Sequence, residues 1–301
     1  MAAIAMQYML LRKSGLPRRA LSMQRTCPPV PAPPRRAAAP NPAAPGDDPL
    51  YVQSVEKAFR VLEAVGRGQP GMGLTELAAA AGMDRSAAQR FSHTLERLGY
   101  LRKDPRTRRY ALTPRALDLG AMYIRSSPLV DRALPYLIEL SRRTEEAVSL
   151  SLLDGLEIVY VARLLSRNAM HANIIIGSRL PAFCTAPGTA ILSRMPRAAA
   201  TAILQASDRR ALTPHTTTDM AELLARLEAT ARRGYALLCE ELFVNDVSLA
   251  APILGAAGEP LAAVNIAVSR LRCPPEEAEA RYAPLVTDAA AAMSRALPAL
   301  A

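Results

Sequence analysis

Residues 81–112 read AGMDRSAAQRFSHTLERLGYLRKDPRTRRYAL and decide the fold of the N-terminal third of the chain. A tight Gly-Met turn is followed by Asp84, a residue type that caps helices. Gly99 stops the predicted helix after about Leu98. The segments YLRK and RRYALT then have the composition of two short strands, joined by a DPRT turn. This stretch therefore predicts a helix followed by a hairpin.

Two further helices precede this stretch. Residues 52–65 (VQSVEKAFRVLEAV) have helical periodicity, with one apolar face formed by Val55, Ala58, Phe59, Leu62 and Val65. The segment GRGQPGMG breaks the chain. LTELAAAA then predicts a short helix whose inward residues are Leu74, Leu77, Ala78 and Ala81. The order helix, helix, turn, helix, hairpin predicts a winged helix-turn-helix.

The third helix combines an apolar stripe with a polar edge. The N-terminal part of a recognition helix enters the major groove, where Arg and Gln side chains can pair with guanine and adenine. We expect the polar edge, together with Thr75 of the second helix, to contact DNA. The predicted buried stripe is Ala87 or Ala88, Phe91, Leu95 and Leu98, and the polar edge is Arg85, Ser86, Gln89, Arg90 and His93.

The hairpin that follows is strongly basic, and its one acidic residue is Asp104. Such a wing suits the phosphate backbone, which gives affinity and register more than sequence choice. The alternative is a structural three-helix unit whose charged loop is simply solvated. Helix order, tight turn, polar edge and basic hairpin agree, and together they favour DNA binding. The basic wing residues are Arg102, Lys103, Arg106, Arg108 and Arg109.

Positive charge is concentrated at the N-terminal end of the chain. The formal net charge of the 301 residues is +10. Residues 51–115 contain twelve Lys/Arg and six Asp/Glu, and residues 1–50 contain seven and two. Residues 116–301 contain eighteen and nineteen, a net charge of −1. A polyanionic partner is therefore expected at the N-terminal third.

Composition excludes several classes of protein. No apolar run is long enough to span a bilayer, which predicts a soluble chain without a membrane partner. The four cysteines are far apart without a CxxC pair, and the three histidines are scattered, so we expect no metal site, no cofactor and no disulfide framework. A reducing cytoplasm fits best, and Cys184 and Cys239 are expected to be small buried hydrophobes. Residues 1–50, with ten prolines, predict a disordered Pro/Ala/Arg-rich tail.

The rest of the chain predicts a second domain. A winged helix-turn-helix domain at 51–113 and a linker helix at 114–127 precede an α/β domain at 128–301 with a mostly antiparallel sheet. The overall fold class is thus α+β with two domains. Asp154-Gly155 is a strong hairpin signal between VSLSLL and LEIVYVA. The other predicted strands are ANIIIG, YALLCEE, VSLAAPIL and PLAAVNIAVS, and the predicted helices are TAPGTAILSRM, PRAAATAILQA, MAELLARLEATARR and residues 275–297.

Five segments together resemble the IclR family of bacterial transcriptional regulators, over about residues 52–298 and in the family's order and spacing. The resemblance implies a winged helix-turn-helix, a linker helix and a GAF-like effector-binding domain. It also implies a homodimer or tetramer on a palindromic double-stranded DNA operator, no enzymatic activity, and control of genes that often serve catabolism. The segments are SVEKAFRVLEAV, LTELAAAAGMDRSAAQRFSHTLERLGYLRKDPRTRRYALTPRALDLG, GSRLPAFCTAPGTAILS, GYALLCEEL and SLAAPILGAAGEPLAAVNIAVS.

The resemblance further implies an effector pocket in the second domain. The chain departs from the family where Gly-Thr-Ala at 188–190 replaces the common Gly-Lys-Ala, and where LFVNDV lacks the glycine that many relatives have near Asn245. Asn265 and Ala267 replace small polar residues of some members. Carried over by matching motifs, the effector-binding residues are Leu180, Ala186, Pro187, Gly188, Asp246, Ser248, Asn265 and Ala267.

Simple chemistry also supports a pocket for a small organic effector, a carboxylate or an aromatic compound. Ser248 and Asn265 can form hydrogen bonds within an apolar wall, and the helix after Cys184 is expected to offer free amides to a carboxylate. The alternative is that both polar side chains only satisfy neighbouring backbone groups.

Two other functions stay open. The second domain could serve oligomerisation alone. It could also be a hydrolase or acyltransferase with Cys184 as nucleophile, which would need a base such as His215, although no spacing encourages that pairing. Glu240 and Glu241 are expected to be adjacent on a strand and to point to opposite faces, a poor geometry for acid–base catalysis.

Overall fold

The computed structural model of the chain describes residues 48–67, 71–165 and 174–297. Apart from residues 48–50, the tail predicted at 1–50 lies outside these ranges. The predicted winged helix-turn-helix is confirmed. Its elements are α1 (Gln53–Arg67), α2 (Leu74–Ala80), α3 (Arg85–Arg97), β1 (Leu101–Lys103) and β2 (Tyr110–Leu112).

Local hydrogen bonds fix both ends of α3 and the hairpin that follows it. The Asp84 carboxylate accepts the N–H of Ala87 at 2.8 Å, as expected for a helix cap. Gly99 has φ of +80°, a conformation that ends a helix readily only in glycine. In the wing, Leu101 pairs with Leu112. The turn between the strands closes because Asp104 accepts the N–H groups of residues 106 and 107.

The core of this domain differs in part from the predicted one. Val55 and Phe59 on α1 are more than half exposed. On α3, Ser92 is fully buried, and Leu98, which follows the last residue of α3, is exposed. Both helices carry more than one apolar stripe, and periodicity alone does not show which stripe faces the neighbouring helices. The buried residues of this core are Val61, Ala64, Val65, Leu77, Ala81, Leu95, Leu101 and Tyr110.

Two helices connect the winged domain to a sheet. They are α4 (Ala116–Ser126) and α5 (Pro128–Thr144), and the predicted break between them is confirmed. Ser127 ends α4 and caps α5, since its hydroxyl accepts the N–H of Val130. None of the α4 residues is buried.

The second domain is built on a six-stranded antiparallel sheet with the order β5-β4-β3-β8-β7-β6. The predicted hairpin at residues 154–155 is confirmed, and a second hairpin joins β7 and β8 through residues 255–258. The predicted strand ANIIIG is wrong over its described part, because residues 174–177 form a turn and the short edge strand follows it. The strands are β3 (Ala147–Asp154), β4 (Glu157–Leu164), β5 (Arg179–Pro181), β6 (Ala236–Cys239), β7 (Asp246–Leu254) and β8 (Pro260–Ser269).

Helices cover both faces of the sheet. Helix α5 and the long α9 (Pro275–Ala296) pack on one face, around Leu137, Val264 and Val286. Helix α6 (Ala186–Leu192) packs on the other face, against β7 and β8. Helices α7 (Arg197–Ala206) and α8 (Met220–Arg233) follow α6 in the chain. No helix in the described ranges is long and apolar enough to cross a bilayer.

The contact of α6 with the turn before it depends on a glycine. A Cβ atom placed on Gly188 would lie 2.6 Å from the Ala182 Cα atom and 2.7 Å from its carbonyl carbon. Backbone atoms cannot move aside as a flexible side chain can. Only glycine therefore lets α6 approach the Ala182–Cys184 turn and cover the sheet.

We predict that Gly188→Ala lowers the free energy of unfolding by about 3 kcal/mol, because the new methyl group overpacks against backbone. Urea denaturation followed by circular dichroism measures the change. Gly120→Ala is the matched control: Gly120 lies in α4, and a methyl group added there would meet no atom within 4 Å beyond the backbone of its own helix. That variant should be neutral or stabilising by up to about 1 kcal/mol. Equal stability of Gly188→Ala and the native chain would contradict the close approach.

Candidate DNA-binding surface and effector cavity

The polar edge of α3 is exposed as a set. Arg85, Ser86, Gln89, Arg90 and His93 are all exposed. At 100° per residue they share an arc of about 140°, on the side of α3 away from its buried residues. Asp84 caps the helix without covering this edge. Four of these side chains carry hydrogen-bonding groups suited to base edges or phosphates, in the first turns of the helix, and His93 follows one turn later.

The wing presents part of its predicted basic set to solvent. Arg102, Arg106 and Arg108 are exposed. Lys103 is half-buried, with its ammonium nitrogen 5.0 Å from the centre of the Tyr110 ring. Thr75, on the first turn of α2, is exposed.

Arg109 has a structural role that its position in a basic run did not indicate. Its Nε donates to the Gly71 carbonyl at 2.9 Å, and its Nη2 lies 2.8 Å from the Glu76 carboxylate. These contacts tie the second strand of the wing to the start of α2. The guanidinium is thus engaged within the domain, while 45% of the Arg109 side chain is exposed and its contact with DNA stays a prediction.

A cavity lies on the α6 side of the sheet in the second domain. About 460 Å³ of space lies between its lining atoms, a volume that includes solvent outside its open mouth. Strands β4, β6, β7 and β8, the start of α6 and the segment 241–243 form its walls. Its lining residues are Tyr160, Arg163, Ile174, Cys184, Thr185, Ala186, Pro187, Leu238, Glu241, Leu242, Phe243, Asp246, Ser248, Asn265 and Ala267.

The structure brings six of the eight predicted effector residues to this cavity. The other two, Leu180 and Gly188, lie outside the lining. Leu180 packs in an apolar cluster with Ile158 and Phe183. Gly188 faces the Ala182 backbone, where it allows close packing instead of ligand contact. The six residues in the lining are Ala186, Pro187, Asp246, Ser248, Asn265 and Ala267.

Antiparallel register places a row of polar side chains across the cavity side of the sheet. Arg163 of β4 is opposite Ser149 of β3, and Ser149 is opposite Asn265 of β8. Arg163 Nη1 donates to Ser149 Oγ at 2.9 Å. Asn265 Nδ2 and Ser248 Oγ on β7 are 3.5 Å apart. Sequence analysis missed Arg163, although an arginine within the apolar segment IVYVARL was a signal for a buried charge.

The start of α6 does not offer the amides expected there. The Thr185 hydroxyl accepts the N–H of Gly188, and the Thr185 carbonyl accepts the N–H of Thr189. Two of the first N–H groups of α6 are therefore already used within the chain, and Pro187 supplies none.

Glu240 and Glu241 are both buried, just beyond the end of β6 and not on a strand as expected. Glu240 has φ of +56°, a left-handed conformation that is uncommon outside glycine. Glu240 accepts the N–H of Asn245 at 2.8 Å and pairs with Arg270. The Asn245 N–H, followed by Arg270 and by nearby His215, lowers the pKa of Glu240. The two carboxylates have different partners and do not form a catalytic pair.

Glu241 lines the cavity, and its carboxylate is bound by residues of the same domain. It pairs with Arg226 of α8 and accepts the backbone N–H and the hydroxyl of Thr217 at 3.1 and 3.0 Å. Its charge is thus already matched within the protein.

Cys184 is buried in the cavity wall, in agreement with its predicted burial. Burial first, and then the charge of Glu241, raise the pKa of its thiol. A nucleophilic cysteine needs a lowered pKa, because the thiolate is the reactive form. Cys184 is therefore unsuited to the hydrolase or acyltransferase alternative.

Comparison with known proteins agrees with this architecture. The model of the IclR helix-turn-helix domain matches residues 54–105, and that of the bacterial transcriptional regulator IclR C-terminal domain matches residues 121–295. The Pca regulon regulatory protein of Pseudomonas putida is 32% identical over 240 residues, which cover 79% of this chain and 82% of that protein.

Two solved structures show the same fold. A proposed transcriptional regulator from Rhodococcus sp. RHA1 is 37% identical, with a TM-score of 0.72 over 82% of this chain and 98% of that chain. An IclR homologue from Microbacterium hydrocarbonoxydans, complexed with 4-hydroxybenzoate, is 21% identical, with a TM-score of 0.66 over 81% of this chain and 98% of that chain. The second likeness shows the fold alone.

The fold defines a transcriptional regulator that joins a DNA-binding winged helix-turn-helix to an α/β domain within one chain. The chain belongs to the IclR family of bacterial transcriptional regulators. Its family is one of regulators and not of enzymes, which removes the enzymatic alternative.

We predict that Arg109→Gln lowers the free energy of unfolding by about 1 kcal/mol, because an exposed ion pair and one hydrogen bond to a carbonyl are lost. Arg106→Gln, on the exposed turn of the same wing, is the matched control and should change stability by less than about 0.5 kcal/mol. Thermal and urea unfolding of the three proteins measure both effects. Equal loss in both variants would contradict the separate structural role of Arg109.

Proposed function

We propose that this chain binds a palindromic double-stranded DNA operator through residues 51–113 and responds to a small organic effector. The observation that supports DNA binding best is the exposed arc of Arg85, Gln89 and Arg90 on the first turns of α3. The side chains of that arc contact base edges in the major groove. Thr75, Ser86 and His93 contact the operator beside them, and the wing binds its phosphates through Arg102, Lys103, Arg106 and Arg108.

The proposed effector is a carboxylate or an aromatic compound, bound in the cavity of the domain at 128–301. The six predicted residues in the cavity lining support this site. The structure with 4-hydroxybenzoate shows that a chain of this fold can hold a small aromatic carboxylate. The name of the Pca regulon regulatory protein supports the control of an operon. The proposed operon is a catabolic one, and the proposed binding to bacterial DNA implies a cytoplasmic protein.

We also propose that the protein self-associates as a homodimer or a tetramer. Val52, Val55 and Phe59 follow each other at helical spacing and are 53–58% exposed. On α4, Leu119, Met122 and Tyr123 fall within an arc of about 100° and are 47–56% exposed. An apolar stripe of this kind on a helix is usually covered by another helix. A second copy of the chain supplies the same two stripes and can cover both.

We propose that the linker helix at 114–127 carries the effect of effector binding to the DNA-binding domain. Effector binding favours one arrangement of the two recognition helices in the assembly, and operator affinity changes by the effector's differential affinity for the two arrangements.

We predict that Arg85→Ala/Arg90→Ala weakens binding to the upstream intergenic DNA by roughly tenfold or more, because each contact of a side chain with a base is worth about 1–3 kcal/mol. Gel retardation at several salt concentrations measures affinity and its salt dependence. Arg142→Ala/Arg143→Ala removes the same charge from two exposed arginines at the end of α5 and should bind as the native chain does. Unchanged binding by the α3 variant, or affinity independent of salt, would contradict the proposed interface.

We predict that Phe59→Asp or Met122→Asp shifts the protein towards the monomer, because a carboxylate within an apolar interface loses its hydration without gaining a partner. Light scattering after size-exclusion chromatography measures the mass, and circular dichroism verifies folding. Ser54→Asp adds the same charge to an exposed position of α1 and is the control. A native protein that is monomeric at micromolar concentration would refute the proposed assembly.

A further inference from the structure

We propose that Arg163 binds the carboxylate of the effector and that the Asn265 amide oxygen accepts a hydroxyl group at the other end of the same effector. The inference rests on the proposed effector function of the cavity and specifies which chemical groups the cavity recognises. The match to the family motifs did not include Arg163, and it named Asn265 as an effector-binding residue without saying which group it binds.

Arg163 is the one basic side chain among the described residues that line the cavity. Only 7% of its surface is exposed. Ser149 orients it by accepting from Nη1, and the Tyr160 ring centre lies 5.7 Å from its guanidinium carbon. Burial lowers its pKa, and the charges of Tyr160 and Asp246 oppose that shift. An arginine remains protonated in such a site, so the cavity wall carries a fixed, oriented cation.

Two acidic residues share the lining with Arg163, and they differ in their surroundings. Glu241 is matched by Arg226 and Thr217 on its far side. Asp246 acts electrostatically on Arg163 itself. Both Asp246 and Arg163 line the cavity, so a carboxylate bound there lies in the field of the Asp246 charge and is repelled by it. This repulsion gives the proposal a second, independent consequence: removing the charge of Asp246 strengthens carboxylate binding.

Asn265 supplies the complementary group on β8. Its Oδ1 atom is buried and has no hydrogen-bond donor within the described part of the chain. Its Nδ2 atom is directed to Ser248 instead. A buried acceptor of this kind favours a ligand that brings a donor, because an unsatisfied amide oxygen costs free energy.

Arg163 and Asn265 lie in one row across the cavity side of the sheet, on strands separated only by β3, and their backbones are about 10 Å apart. The Arg163 guanidinium reaches Ser149 on that middle strand, so the gap between the two binding groups is shorter than the gap between their backbones. A para-substituted aromatic acid, with its carboxylate and hydroxyl at opposite ends of the ring, suits such a gap, whereas an ortho-substituted one directs both groups to the same side.

The test is isothermal titration calorimetry of the full-length protein with 4-hydroxybenzoate, 4-hydroxybenzamide, benzoate and 2-hydroxybenzoate. We expect 4-hydroxybenzoate to bind roughly tenfold or more tightly than each of the other three, since each lacks one charge-assisted or donated hydrogen bond in the required place. Arg163→Gln should abolish the preference for the acid over the amide, and Arg163→Lys should retain part of it. Asn265→Ala should remove the preference for 4-hydroxybenzoate over benzoate.

Asp246→Asn supplies the independent readout, since a merely structural Arg163 would not predict its effect. It should strengthen binding of 4-hydroxybenzoate more than binding of 4-hydroxybenzamide, because only the acid carries a negative charge that Asp246 repels. Arg179→Gln removes an arginine from β5, outside the cavity lining, and is the control that should bind all four compounds as the native protein does.

Persistence of the acid preference in Arg163→Gln, weaker acid binding by Asp246→Asn, or failure of the native protein to bind any of the four compounds would overturn the proposal. Gel retardation of operator DNA by the same preparations separates this failure from failure of the proposed function. If the native protein binds DNA without the expected ligand preference, only the roles assigned to Arg163 and Asn265 are refuted. If the native protein does not bind DNA, the proposed regulatory function is refuted.

Discussion

Antiparallel pairing of β3 with β8 is the constraint on which the second domain depends. It joins the first strand of the domain to the last and makes them the central strands of the sheet. The register places Val148 and Leu150 on the face covered by α5 and α9, and Ser149 on the face with the cavity. A shift of the β3–β8 register by one residue would turn each side chain to the opposite face of the sheet. The same register therefore places the apolar side chains in the core and the polar side chains in the cavity.

The basic residues of the winged domain divide into two groups by what they contact. Arg109 is held by a backbone carbonyl and a glutamate, and it fixes the wing to α2. The exposed arginines of α3 and of the wing turn add positive potential without supporting the fold. A domain with this division can change the exposed group, and with it the DNA sequence it recognises, without losing its hairpin.

Much of the fold could be predicted from the sequence because local rules govern it. The Asp84 cap, the Gly99 stop and the Asp154-Gly155 hairpin act over a few residues, and the structure contains all three. Which apolar stripe of α1 is buried depends on helices distant in sequence, and periodicity gave the wrong face for Phe59.

The candidate cavity was only partly predictable for the same reason. Motif matching found residues on β7, β8 and α6, six of which line the cavity. It missed Arg163, whose place there depends on strand pairing, and it included Gly188, whose role is steric. The Gly188 amide expected to bind a carboxylate is used by the Thr185 hydroxyl instead. This contact depends on the orientation of the Thr185 side chain, which the residue type alone does not determine.

Helix α4 has a consequence for how the two parts of the chain are mechanically joined. It has eleven residues and buries none of them. An isolated helix of that length is only marginally stable in water. Its stiffness must therefore come from surfaces beyond its own sequence. In the proposed homodimer or tetramer a second copy covers this helix, and the stiffness of the connection between the two domains would then rise with protomer concentration.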